Sequence, residues 1–137
     1  MKKRSITPAD VPVIGPYSPA VKAGPFVFIS GQIPLRAATG ELVAGDIRAA
    51  TTQVMENIAA ILKAAELSWA DVVKTTIYLA DMADFPAVNE IYGGYFQGDF
   101  PARATVQVAA LPRGAQVEIE AVAFKMPFPM GPKGPEA

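Results

Sequence analysis

Phe100-Pro101-Ala102-Arg103-Ala104-Thr105-Val106-Gln107-Val108 alternates strictly once past its proline. Period two predicts a β-strand with Ala104, Val106 and Val108 on one face and Arg103, Thr105 and Gln107 on the other. A guanidinium at the head of such a strand suits two-point capture of a planar carboxylate. A lone strand arginine is just as compatible with solvated surface, and the segment by itself leaves both readings open.

Downstream, residues 116–125 alternate as well. Val117, Ile119, Ala121 and Ala123 oppose Glu118, Glu120, Val122 and Phe124. Leu111-Pro112-Arg113-Gly114 reads as a turn, so strands 103–110 and 116–125 are expected to pair with each other. Glu118 and Glu120 share one strand face. They form either a solvated acidic face or a site where one carboxylate deprotonates a water. The register of the pair decides whether they meet Arg103, and the loop does not fix its parity.

Upstream, residues 84–96 predict a helix with Asp84 as cap, Pro86 in the first turn, and Phe85, Val88, Tyr92, Tyr95 and Phe96 as its apolar face. Asn89 lies within it, and Gly93-Gly94 weaken it. Residues 72–80, rich in Val, Thr, Ile and Tyr, predict a strand. Ser68-Trp69-Ala70-Asp71 reads as a capped turn. The clearest element is a helix over 46–65, with Ile47, Thr51, Val54, Ile58, Ile61 and Ala65 spaced by fours and threes. Asp46 suits its positive end.

Residues 34–45 read as a loop. Residues 18–22 and 26–30 predict two strands around Ala23-Gly24-Pro25. Gly31 at the second strand's end marks a bulge or a close backbone approach. Gly15-Pro16-Tyr17-Ser18-Pro19 is a turn, and residues 1–16 read as irregular. The expected order is β-β-α-β-α-β-β: an α+β single sheet with two helices on one face. The domain spans 1–125, and the proline-rich 126–137 reads as an extended or disordered tail.

The chain has 137 residues, net charge −1, no histidine and no cysteine. That excludes disulfides, argues against zinc, and gives no phosphate-backbone binder's charge. Met1-Lys2-Lys3-Arg4 lacks the apolar stretch a signal peptide needs, so the expected compartment is the cytoplasm. With 51% apolar residues, and apolar side chains on both faces of several strands, an oligomer is expected.

Six segments taken together carry a resemblance: Ile14-Gly15-Pro16-Tyr17-Ser18-Pro19-Ala20, Ile29-Ser30-Gly31-Gln32-Ile33-Pro34, Val72-Val73-Lys74-Thr75-Thr76-Ile77-Tyr78-Leu79, Val88-Asn89-Glu90-Ile91-Tyr92, Phe100-Pro101-Ala102-Arg103 and Val117-Glu118-Ile119-Glu120-Ala121. Over roughly residues 10–125 the chain closely resembles the Rid family, also called YjgF or the perchloric-acid-soluble protein family. The resemblance implies a chorismate-mutase-like fold, a homotrimer around a central barrel, and clefts between subunits. It implies cofactor-free hydrolysis of 2-imino and enamine acids, such as 2-iminopropanoate and 2-iminobutanoate, to 2-keto acids and ammonia. Arg103 matches the arginine that clamps the substrate carboxylate, and Glu118 the glutamate that positions the water. Tyr17, Ser30, Gly31 and Asn89 match cleft-lining positions.

Thr105 stands where many relatives carry cysteine, in a role served mainly by backbone. The loop between Tyr92 and Phe100 is short. Glu66 replaces the glycine that commonly ends the first helix, which is expected to stop without a left-handed glycine cap. Two other readings belong to the same resemblance. One is a non-catalytic sensor of 2-keto acids. The other is an endoribonuclease or translation inhibitor, disfavoured by the acidic pI and the lack of histidine. Neither a metal nor a membrane is implied.

Overall fold

The computed structural model describes residues 2–125; the tail expectation for 126–137 lies outside them. The helix expected over 46–65 is α1, Ile47–Ala64, and it begins where Asp46 Oδ1 accepts from the amides of Arg48 at 3.0 Å and Ala49 at 3.2 Å. Val54, Ile58 and Ile61 of the predicted stripe are fully buried, and Met55 and Leu62 widen it. A stripe this wide fits a helix laid on a sheet rather than a narrow coiled-coil seam.

The first helix ends in a left-handed turn without glycine. The Glu66 amide donates to Lys63 O at 3.0 Å and the Leu67 amide to Leu62 O at 2.8 Å, the paired bonds of a Schellman motif. Glu66 takes φ 60° to make them, a conformation that costs a side-chain-bearing residue about 1 kcal/mol. Its carboxylate lies 3.5 Å from Lys125 Nζ in an exposed pair that contributes little. Glu66→Gly is therefore expected to raise Tm by about 3 °C in a thermal melt at neutral pH. A fall in Tm would show that the Lys125 contact outweighs the relieved strain.

Six strands form one mixed sheet: β1 Arg4–Ile6, β2 Ala20–Ala23, β3 Phe26–Gln32, β4 Val72–Leu79, β5 Ala102–Gln107 and β6 Val117–Phe124, in spatial order β1-β2-β3-β6-β4-β5. The second helix, α2, spans Phe85–Gly93. The two helices pack on each other, and α1 lies against β3 and β6.

Several expectations need correcting. Residues 1–16 are not wholly irregular, since β1 pairs antiparallel with β2. The second helix stops at Gly93 instead of Phe96, and Tyr95 and Phe96 pack in the turn beyond it. Asp84 makes no side-chain cap bond; Asp81 instead accepts from the Ala83 amide at 2.9 Å.

The largest correction concerns strand pairing. β5 and β6 do not form a hairpin. β5 runs parallel to β4, with α2 in the crossover, and β6 lies antiparallel between β3 and β4. Burial explains the arrangement. Val117, Ile119, Ala121 and Ala123 are buried, so β6 gains most in the middle of the sheet. β5 offers the helix face only Arg103, Thr105 and Gln107, which suits an edge.

The other sheet face is open. Phe26, Phe28 and Val106 are 41%, 48% and 41% exposed on it. Ala104 and Val106 of β5 belong to this open face, and its polar residues face the helices.

Candidate active site

Register places the two candidate charges. Arg103 pairs across β4 with Thr75, and Glu118 pairs across β4 with Tyr78. Thr75 and Tyr78 are three residues apart, so their side chains leave opposite faces of the sheet. Arg103 is on the helix face, with Thr105. Glu118 is on the open face, with Glu120. Within one chain they do not converge.

Arg103 sits in a cradle made by one face of α2. Phe85, Asn89 and Tyr92 follow at helical spacings of four and three. The guanidinium carbon lies 5.1 Å from the Tyr92 ring centre and 5.4 Å from that of Phe85, and Nη1 donates to Asn89 Oδ1 at 2.7 Å. Tyr92 is itself pinned by a 2.8 Å hydrogen bond with the buried Thr75 hydroxyl. Burial raises the Tyr92 phenol's pKa, so it stays a neutral hydroxyl. The guanidinium is thus oriented before any ligand arrives, and N–H groups beyond the one spent on Asn89 remain for an anion. A cavity of about 440 Å³ opens beside it, walled by Tyr92, Gly93, Phe100 and Pro101. Thr105 Oγ1 is buried without a hydrogen-bond partner.

Glu118 belongs to a second cavity of about 350 Å³, with Ile14, Tyr17, Ser30, Gly31 and Arg113. Gly31 lies in the expected bulge, where three steps along β3 from Ile29 to Gln32 match two along β6 from Ala121 to Ile119. A side chain at position 31 would displace the Glu118 carboxylate. A Cβ there would collide with Glu118 Oε2 and stand 2.8 Å from its Cδ. The bulge is held by Ser30 Oγ, which donates to Ser18 O at 2.6 Å, and by Gln32 Nε2, which donates to Ser30 O at 3.1 Å. The Tyr17 hydroxyl accepts from the Ile14 amide at 3.4 Å. Arg113, held with φ 57°, donates to Gly40 O at 3.2 Å.

Among the described residues nothing donates a hydrogen bond to the Glu118 carboxylate. Burial, and secondarily the Glu120 charge, raise its pKa above the ordinary glutamate value. Glu120 accepts instead from Tyr78 Oη at 2.6 Å. The two glutamates that look equivalent in sequence are therefore chemically distinct.

The expected site residues accordingly fall into two groups: Arg103, Asn89 and Thr105 on one face, and Tyr17, Ser30, Gly31 and Glu118 at the other. Phe85, Tyr92 and Thr75 were not foreseen as part of a site, because ring and hydroxyl spacing on α2 and β4 also describes ordinary core. Arg113 gave no signal beyond its turn. Among the described residues no group of acidic side chains could hold a metal ion, and no helix is long and apolar enough to cross a membrane.

The site thus sets an oriented guanidinium on the helix face and a half-buried carboxylate on the open face of one α+β mixed sheet. The chain belongs to the Rid family, also called YjgF or L-PSP: the family model described as Endoribonuclease L-PSP matches residues 7–125. It is 55% identical over 115 residues to the 2-iminobutanoate/2-iminopropanoate deaminase of Mus musculus, covering 84% of this chain and 85% of that one. A putative endoribonuclease from Thermotoga maritima superposes with TM-score 0.87 at 49% identity, covering 92% of this chain and 99% of that one. TdcF of E. coli, solved with bound serine, superposes with TM-score 0.86 at 41% identity, covering 90% and 99%. The fold is thus the chorismate-mutase-like α+β sheet of the YjgF structures.

Proposed function

We propose that this protein hydrolyses 2-imino acids to 2-keto acids and ammonia, in sites each built from two copies of the chain. The observation that carries the reading is the split itself: a pre-oriented guanidinium and a half-buried carboxylate with no donor among the described residues, on opposite faces of one sheet. The deaminase relatives at about half identity give the substrate class. Arg103 of one copy holds the substrate carboxylate by its free N–H groups. Glu118 of another holds a water, with the Gly31 backbone close behind. Water attacks the imine carbon as Glu118 takes its proton, forming the C–O bond. The proton passes to nitrogen, giving a carbinolamine; its hydroxyl proton then moves through Glu118 to the same nitrogen, and the C=O bond forms as the C–N bond breaks to release ammonia. No step calls on a cofactor.

The open sheet face, with Phe26, Phe28 and Val106 exposed, suits burial against another copy, and the family resemblance supports a trimer around a central barrel. Residues 1–125 serve as one functional unit.

The test generates imines in situ with an amino-acid oxidase and follows keto-acid formation with and without the protein. Acceleration is expected, and its absence overturns the reading. Mixing then addresses the shared site. Arg103→Lys and Glu118→Gln chains, each inactive alone, are co-refolded at equal amounts. About a quarter of the sites then combine an intact Arg103 with an intact Glu118, and activity returns to that extent. No recovery would place the whole site within one chain.

A further inference from the structure

We propose that Glu120, fixed by the Tyr78 hydroxyl, is a positioning residue that sets the pH range over which Glu118 works; the proposal rests on the reading of Glu118 as the water-activating base. Tyr78 stands directly across β4 from Glu118, yet its hydroxyl reaches past to Glu120 Oε1 at 2.6 Å. The phenol across the strand pair is spent on the neighbouring carboxylate. Glu118 is left without a donor among the described residues, a condition that favours its protonated form. Glu120 then adds a second push, because it is two residues along the same strand on the same face. A carboxylate at that spacing disfavours a second negative charge.

The groups facing Glu118 can be counted. From β3 come Ser30 and the Gly31 backbone, without charge. From β4 comes Tyr78. Tyr17 and Arg113 share the cavity from the two loops, Arg113 turned to Gly40 O. Thr76, uncharged, lies across from Glu120, and Lys74, one same-face pair beyond it beside Val122, makes no ion pair with Glu120 among the described residues. In the two-copy site Arg103 of the second copy opposes the push, so Glu120 sets a balance. A base working near neutral pH needs its proton affinity lifted above an ordinary carboxylate's, and the Tyr78–Glu120 pair does this without entering the cavity.

The experiment compares pH profiles of kcat/KM for wild type, Glu120→Gln and Tyr78→Phe, alongside a carbon-13 titration of the Glu118 carboxyl in each. In Glu120→Gln the acid limb and the Glu118 titration are expected to move together to lower pH, by about half a unit to one unit. In Tyr78→Phe, Glu120 is released toward solvent, and the shift has the same sign but is smaller. A brace with only a structural role would lower Tm and leave both pH readouts unmoved. Unmoved readouts in the folded variants overturn the proposal. If Glu120→Gln fails to fold, Tyr78→Phe decides alone by the same criterion. Loss of activity in Glu118→Gln with no shift in Glu120→Gln would defeat this inference and leave the deaminase reading standing. Full activity in Glu118→Gln would defeat that reading, while the carboxyl titration still reports on Glu120.

Discussion

Arg103→Lys is expected to lower kcat/KM for a 2-imino acid by about a hundredfold or more, with little change in Tm. The side chain is exposed, so the fold does not depend on it. What depends on it is orientation. The cradle of Phe85, Asn89 and Tyr92 fits a flat cation stacked against rings, with one edge tied at 2.7 Å to Asn89. Lysine brings a compact, strongly hydrated charge that neither stacks as a plane nor forks onto two carboxylate oxygens. The charge is retained and only the geometry is lost, so the experiment separates Coulombic attraction from positioning. Near-wild-type kcat/KM would show that Arg103 does not hold the substrate.

Glu118→Gln is expected to cut turnover by roughly a hundred- to ten-thousandfold while a non-reacting 2-keto acid still binds in a calorimetric titration. The amide keeps the shape against Gly31 but cannot accept the proton of water. A second readout follows from the raised Glu118 pKa. The native state holds this proton more tightly than the unfolded chain does. Stability therefore falls as pH rises from the ordinary value of 4.5 through the raised native one. Glu118→Gln removes that contribution, so the gap in Tm between variant and wild type should widen over this window in the variant's favour. Intact turnover in Glu118→Gln with loss in Glu120→Gln would transfer the role to the wrong-looking glutamate. Intact turnover in both would favour a metabolite binder.

Much of this protein was legible from local sequence. α1 follows from its apolar spacing and from Asp46, because helical periodicity and capping act over a few residues. β4 and β6 were readable from their composition and alternation, and the bulge at Gly31 from a glycine at a strand's end. Arg103, Glu118, Asn89, Tyr17 and Ser30 stood out through six segments in a fixed order. The Glu66 turn was half legible: the missing glycine was plain, but the Schellman bonds that force φ 60° regardless were not.

What only the tertiary structure decided was how these pieces face one another. The side-chain period of a strand is two, so one step of register, or one change of partner, sends a residue to the other side of the sheet. Alternation in 103–108 and 117–124 fixed which residues travel together. It could not say that β6 inserts between β3 and β4 while β5 lies parallel at the edge. That choice depends on which strand buries more apolar surface among partners distant in sequence. It is the choice that sets Arg103 and Glu118 on opposite faces, because Thr75 and Tyr78, their partners on β4, are an odd number of residues apart.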